Sequence, residues 1–448
     1  MKTKLSLAIF LISFSSIAQI KLPSLVSNGM VLQRDQVTTL WGWASPGEKI
    51  RIQIGAKIIR TQADQQGNWR TQMPAYPAGG PHKLKLSGKN EIVLENVLFG
   101  DIWLCAGQSN MVLNMERVKE KYAQDIAEAN NPNIRNFFIP TAISKVDVQT
   151  ALPASSWLAV TPENVLKMGA VTYFFARDLY TRFQVPIGII NSSVGGTPIE
   201  SWISEAGLKA FPAYVKDTSK TIAQSAQQNK SADRGLSEKW ANPSYQPRGW
   251  KRFTIPGFWE DQGLKDLNGV VWFRREIDIP SSLAGLPAQL FIGRIVDADQ
   301  VFVNGEPVGN ITYQYPPRRY SVKNGLLKAG KNVLVIRVTN TAGKGGFVPD
   351  KRYEMIVGNQ TFDLQGDWNY KVGEVFPPKI EAPTPNLFPP TSLYNAMIAP
   401  FTSYGLKGIV WYQGESNAGK PEVYEQLLPA LAKDWRTQFK QAEIPFLY

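Results

Sequence analysis

"DIWLCAGQSNM" (residues 101–111) is the stretch on which the reading of this chain turns. Its apolar run stops at Ala106, Gly107 follows, and then come Gln108, Ser109 and Asn110. A strand that ends in glycine and serine, not in an ordinary turn, can hold a hydroxyl up at its end. Ser109 is therefore a candidate nucleophile, and a serine nucleophile needs a base. Cys105, inside the apolar run, reads as a small buried side chain.

Two further segments have the same form. "PIGIINSSVGGTPIESW" (residues 186–202) and "GIVWYQGESNAG" (residues 408–419) each pass from an apolar strand into a small, polar, glycine-bearing loop. Taken singly, each loop also fits a turn with a helix cap. In open parallel α/β sheets, however, ligands bind beyond the carboxyl ends of strands, so the three loops are expected to face one crevice. Ser109 offers a hydroxyl at a helix start, Gly195-Gly196 a bare backbone N–H, and Asn417 a side-chain amide. Ester hydrolysis passes through a tetrahedral oxyanion that two or three such donors stabilise.

The surrounding pattern sets the domain order. Alternating segments such as "TTLWGWA" and "KIRIQIGAKIIRTQ" predict a small β-sandwich-like domain over residues 19–98. Short apolar runs alternating with helical periodicity predict the first part of an α/β domain over 99–250. One helix is expected over residues 169–183, with Val171, Phe174, Phe175, Leu179 and Phe183 as its apolar stripe. Strands return over 251–376 and predict an inserted β-domain, with Asn304-Gly305 as a tight type I′ hairpin. The α/β pattern resumes over 377–448, where Pro421 opens a helix with a stripe of Tyr424, Leu427, Leu428, Leu431 and Trp435. The expected fold is thus an α/β domain with a parallel sheet and helices on both faces, interrupted by a β-sandwich and preceded by a small β-domain.

Composition bounds the function. The 448 residues exceed one ordinary core. The net charge of +12 arises from 49 basic and 37 acidic residues that are scattered along the chain. Without a clustered basic stripe, no nucleic-acid partner is expected. One cysteine excludes an internal disulfide, and neither a zinc pattern nor a cofactor motif is present. The first 18 residues read as a signal peptide: Lys2 and Lys4, an apolar core from Leu5 to Ile12, then Ser16-Ile17-Ala18. Export to the periplasm or the extracellular space is expected, without stable membrane insertion. The 13 Trp fit sandwich cores and sugar-facing surfaces alike.

With these segments in view, the chain resembles the sialate O-acetylesterase family of carbohydrate esterases, within the SGNH hydrolases. "GQSNM", "NSSVGGTPIESW" and "WYQGESN" are similar to its nucleophile, glycine and asparagine blocks, and "SLYNAMIAPF" (residues 392–401) is also family-like. The resemblance implies Ser109 as nucleophile, with Gly196 and Asn417 as oxyanion donors. Gln108, Asn110, Gly195 and Glu415 would support the loops. It implies an acetylated carbohydrate as substrate, sialic acid or another glycan such as acetylated xylan, and no metal or cofactor. The insert resembles jelly-roll, galactose-binding-like domains of some glycosidases. The oligomeric state is not encoded in these motifs.

The chain departs from the family at one point. The family's Asp-x-x-His block supplies the base and its orienting carboxylate. Here the single histidine, His82, lies in the leading β-domain, and Asp434 lies inside a helix with no histidine beside it. The catalytic His and Asp are therefore expected beyond residue 448, in a segment that completes the sheet. The competing class is a carbohydrate-binding protein without catalysis.

Overall fold

The computed structural model describes residues 19–215, 233–377 and 387–448. The expected signal peptide lies outside the described residues, as do parts of the polar stretch before the insert and of the Pro-rich linker. Two compact units are formed: Met1–Ile222 with Pro385–Tyr448, and Ala223–Thr384.

The first unit is built on strand Glu91–Gly107, which is 17 residues long. Its first half pairs with the antiparallel strand Gly79–Ser87 and the short parallel strand Val31–Gln33. Its second half pairs in parallel with Ile187–Ser193 on one side and Gly408–Tyr412 on the other. Asn131–Phe138 continues the parallel sheet beyond Ile187–Ser193, and Phe446–Leu447 continues it beyond Gly408–Tyr412.

Alternation along the central strands decides what covers each face. Ile102, Leu104 and Ala106 join Ile190, Ile409 and Trp411 in one core, against helices Ser392–Met397 and Pro421–Gln438. Trp103, Cys105, Ile187 and Ile189 face the other way, against helix Ala170–Phe183. Period-two side chains in a sheet buried on both sides give this near-continuous apolar run.

Three expectations are corrected in detail. The leading β-domain is not set apart near residue 98, because one strand runs through both parts. Gly100, within that strand, is a close approach: a Cβ there would lie 2.0 Å from the Pro186 carbonyl oxygen. In helix Ala170–Phe183, Val171 and Phe183 are exposed, and the buried positions are Ala170, Thr172, Tyr173 and Ala176. The small residues face the sheet, and the bulky Phe174, Phe175 and Leu179 flank them at half burial. Residues 233–250 belong with the second unit and not with the α/β part.

That second unit holds a six-stranded and a five-stranded antiparallel sheet. A shared core that includes Phe253, Phe273, Leu290, Ile336, Phe347 and Met355 draws on both sheets. Residues 233–250 join it through polar contacts and Trp packing, neither of which has a strand period. Asp233 accepts from Trp272 Nε1 at 3.0 Å and from Arg337 Nε at 2.7 Å. Trp240 is fully buried against Trp250 and Trp272. Asn304 and Gly305 carry φ of 50° and 86° between strands Ala298–Val303 and Glu306–Ile311, as the hairpin reading requires.

Candidate active site

The register brings three strand ends level. Ser193 and Tyr412 both pair with Gly107, from opposite sides. Chain order reverses about this strand, so the crevice beyond its carboxyl end lies at a topological switch point.

Gly107 makes the exit from the sheet sterically possible. Its φ is 137°, and a Cβ would lie 2.1 Å from the Tyr412 carbonyl oxygen. Gln108 N donates to that same oxygen at 2.9 Å, and Val194 N donates to Gly107 O at 3.0 Å. Ser109 is exposed and is the first residue of helix Ser109–Val112. Four residues make a single turn, whose dipole is small.

The second loop runs directly beside Ser109. A Cβ on Gly195 would sit 3.8 Å from Ser109 Cβ, in van der Waals contact with that residue. Gly196 is exposed, in the left-handed region at φ 73°, with nothing within 4 Å of a built Cβ. Of the pair, Gly195 is the residue that borders Ser109.

The third loop is tied to both others. Asn110 Nδ2 donates to Glu415 Oε1 at 2.7 Å, and Ser416 N donates to Gln108 Oε1 at 3.3 Å. Asn417 Oδ1 accepts from Ile199 N at 2.9 Å and from Gln413 Nε2 at 2.7 Å. Asn417 Nδ2 donates to Glu200 Oε2 at 3.0 Å. A primary amide carries two hydrogens, so among the described residues one N–H of Asn417 is left without a partner.

Glu200 and Gln413 were missed as site residues. Both stand inside the quoted segments, but Glu200 meets Asn417 across 217 positions of sequence, which no local pattern encodes. Gln413 Nε2 also donates to Thr197 O at 3.0 Å, closing the second loop on the third. Beneath them, Tyr424 donates to Gln413 O at 2.7 Å. Burial above all, with the Glu415 charge adding to it, pushes the Tyr424 phenol up, so it stays a neutral donor. Burial likewise pushes the Cys105 thiol well up, which leaves it unreactive as a nucleophile.

The remaining titratable candidates stand elsewhere. His82 pairs with Val97 and packs against Tyr76 and Phe99, which stack on each other. Val97 precedes Gly107 on the same strand by a distance on the order of 30 Å, at about 3.3 Å per residue. Asp434 is buried and accepts from Ser204 N at 2.8 Å and Ser204 Oγ at 2.6 Å, fastening two helices together. Among the described residues no group of three or more His, Cys, Asp and Glu is placed to hold a metal ion. No helix among them is long and apolar enough to cross a membrane.

The family described as carbohydrate esterase, sialic acid-specific acetylesterase, matches residues 99–231 and 380–448, the stretches that carry all three loops. Over those two stretches, less than half of its length, the chain is similar to this family. Members of the family are carboxylic ester hydrolases acting on carbohydrates. Sialate O-acetylesterase of Homo sapiens is 29% identical over 205 residues, covering 42% of this chain and 39% of that protein. The Mus musculus enzyme of the same name is 31% identical over 206 residues, covering 42% and 38%. The chain thus spans about two-fifths of the length of the curated relatives it matches. A carbohydrate acetylesterase from Xanthomonas citri shares the fold, with a TM-score of 0.54 and 23% identity over 95% of this chain and 59% of that one.

Proposed function

We propose that this chain carries the nucleophile and the oxyanion donors of an exported serine esterase that removes O-acetyl groups from carbohydrates, O-acetylated sialic acid foremost. Ser109 Oγ attacks the acetyl carbonyl carbon. The oxyanion takes hydrogen bonds from the free Asn417 N–H and from the backbone N–H of Gly196, with Gly195 keeping the approach open. The C–O bond to the sugar breaks, the alcohol leaves with a proton, and water then releases acetate from acetyl-Ser109. The proton is moved by a histidine oriented by an aspartate, the pair that the family resemblance implies.

The observation that carries this reading is the level ending of three adjacent strands, with an exposed serine bordered by a glycine and a braced amide. Acetylated xylan or another glycan is the same-class alternative substrate. The insert is proposed as a jelly-roll that binds sugar, and residues 1–18 as the signal that directs export to the periplasm or beyond. The remoteness of His82 favours, for residues 19–448 taken alone, the non-catalytic reading.

The test uses the protein expressed from its natural reading frame, on O-acetylated sialosides, acetylated xylan and a small acetyl ester. Ser109→Ala should remove hydrolysis of all three while circular dichroism stays unchanged. Near-full activity in that variant overturns the assignment.

A further inference from the structure

The leading part of the first unit contains a two-stranded sheet, Thr38–Trp43 with Asn68–Met73. Directly opposed residues share a face of such a ribbon. One face carries Leu40, Trp69 and Met73, all buried in the core. The other carries Trp41 and Trp43, with Arg70 opposite the first and Asn68 opposite the second. Both tryptophans are half-buried, and Asn68 and Arg70 are exposed. Gly42 lets this face form: a Cβ there would lie 2.3 Å from the Lys21 carbonyl oxygen and 2.9 Å from the Trp69 ring.

These side chains line a cavity of about 450 Å³, with Thr150 and Ser403 also on its wall. That volume falls within the roughly 300–1,000 Å³ of small-molecule sites. Trp41 leans edge-on against Tyr404, with ring centroids 6.1 Å apart, and packs on the core. Trp43 is not among the side chains packed on that core. Among the described residues, neither indole N–H nor the Arg70 guanidinium makes a hydrogen bond or an ion pair.

Half-exposed indoles with unused N–H groups, flanked by an amide and a guanidinium, match one ligand chemistry well. A pyranose ring presents a C–H face to stack on an aromatic ring and hydroxyls to reach polar side chains at its edge. We propose that the Trp41–Trp43 cleft is a carbohydrate-binding subsite, separate from the Ser109 loops, that holds pyranose units of the glycan. The choice of a glycan rests on the function proposed above.

The test is an array of xylo-oligosaccharides and sialylated oligosaccharides, each with and without O-acetyl groups, probed with the natural gene product. Wild type and Trp43→Phe should be retained. Trp43→Ala should bind at least about tenfold more weakly, the scale of an aromatic anchor. Hydrolysis of p-nitrophenyl acetate should not change in that variant. Equal binding by wild type and Trp43→Ala, or no binding by wild type, overturns the subsite. So does joint loss of binding and small-ester hydrolysis that Trp43→Phe fails to restore, which makes Trp43 structural. Ser109→Ala separates the two proposals: it should lose hydrolysis and keep Trp43-dependent binding. An active esterase without that binding sinks the subsite alone, and binding without esterase activity sinks the catalytic reading alone.

Discussion

Two polar clusters in this molecule are both tied by side-chain hydrogen bonds and differ in their surroundings. In the second unit, Arg318 Nε donates to Asp299 Oδ1 at 2.6 Å, and Tyr320 donates to Asp299 Oδ2 at 2.6 Å. The remaining Arg318 nitrogens are taken by the carbonyls of Pro316 and Asp297, at 2.7 and 2.9 Å. Both charged side chains are 0% exposed, so the network is closed. At the strand ends of the first unit, the amides and carboxylates bind one another from loop to loop, and Ser109 stays exposed in their midst. The closed cluster holds a fold, and the open one holds a hydroxyl in place. What distinguishes a site from a structural network here is the group left unpaired by design of the loops around it.

The comparison makes graded predictions. Asp299→Ala leaves a buried guanidinium without its counter-charge and should lower unfolding stability by about 3–5 kcal/mol in urea titration. A small change would mean the cluster is open to water and the contrast fails. Asn417→Ala should lower turnover by about 10²–10³-fold, more than it weakens binding. A rise in KM with turnover unchanged would instead make Asn417 a positioning residue acting through Glu200 and Gln413. Asn110→Ala breaks one loop tie, worth about 0.5–1.5 kcal/mol, and should reduce kcat/KM a few-fold at most. His82→Ala should leave kcat and KM unchanged in the natural gene product; a large kcat loss in a folded variant would place the base on the leading sheet.

Much of this was legible in the sequence, for identifiable reasons. Apolar runs leading into glycine-bearing loops marked all three strand ends, because a buried parallel strand needs continuous apolar residues and its exit needs room. The hairpin at Asn304-Gly305 was legible because positive φ at both positions selects those residue types. The extent of the second unit was not legible. Asp233 and Trp240 join it by a hydrogen bond and by ring packing, which leave no periodic trace. The unity of the leading sheet was also hidden, since the alternation changes from one-sided to two-sided burial within the single strand Glu91–Gly107. Among the candidate site residues, Ser109, the Gly195-Gly196 pair and Asn417 stood out by residue type, with Gly196 read as the oxyanion glycine. Glu200 and Gln413 did not, because their part is to brace Asn417 across distant sequence.

The central claim is that Ser109 is the group that attacks the ester. Mass spectrometry after treating the natural gene product with an organophosphate such as paraoxon tests it most directly. The account predicts a single adduct, on the peptide containing Ser109, formed in step with loss of acetyl ester hydrolysis and absent from Ser109→Ala. Complete inactivation with the adduct on another residue, or an unmodified Ser109 peptide in inactivated protein, would contradict it.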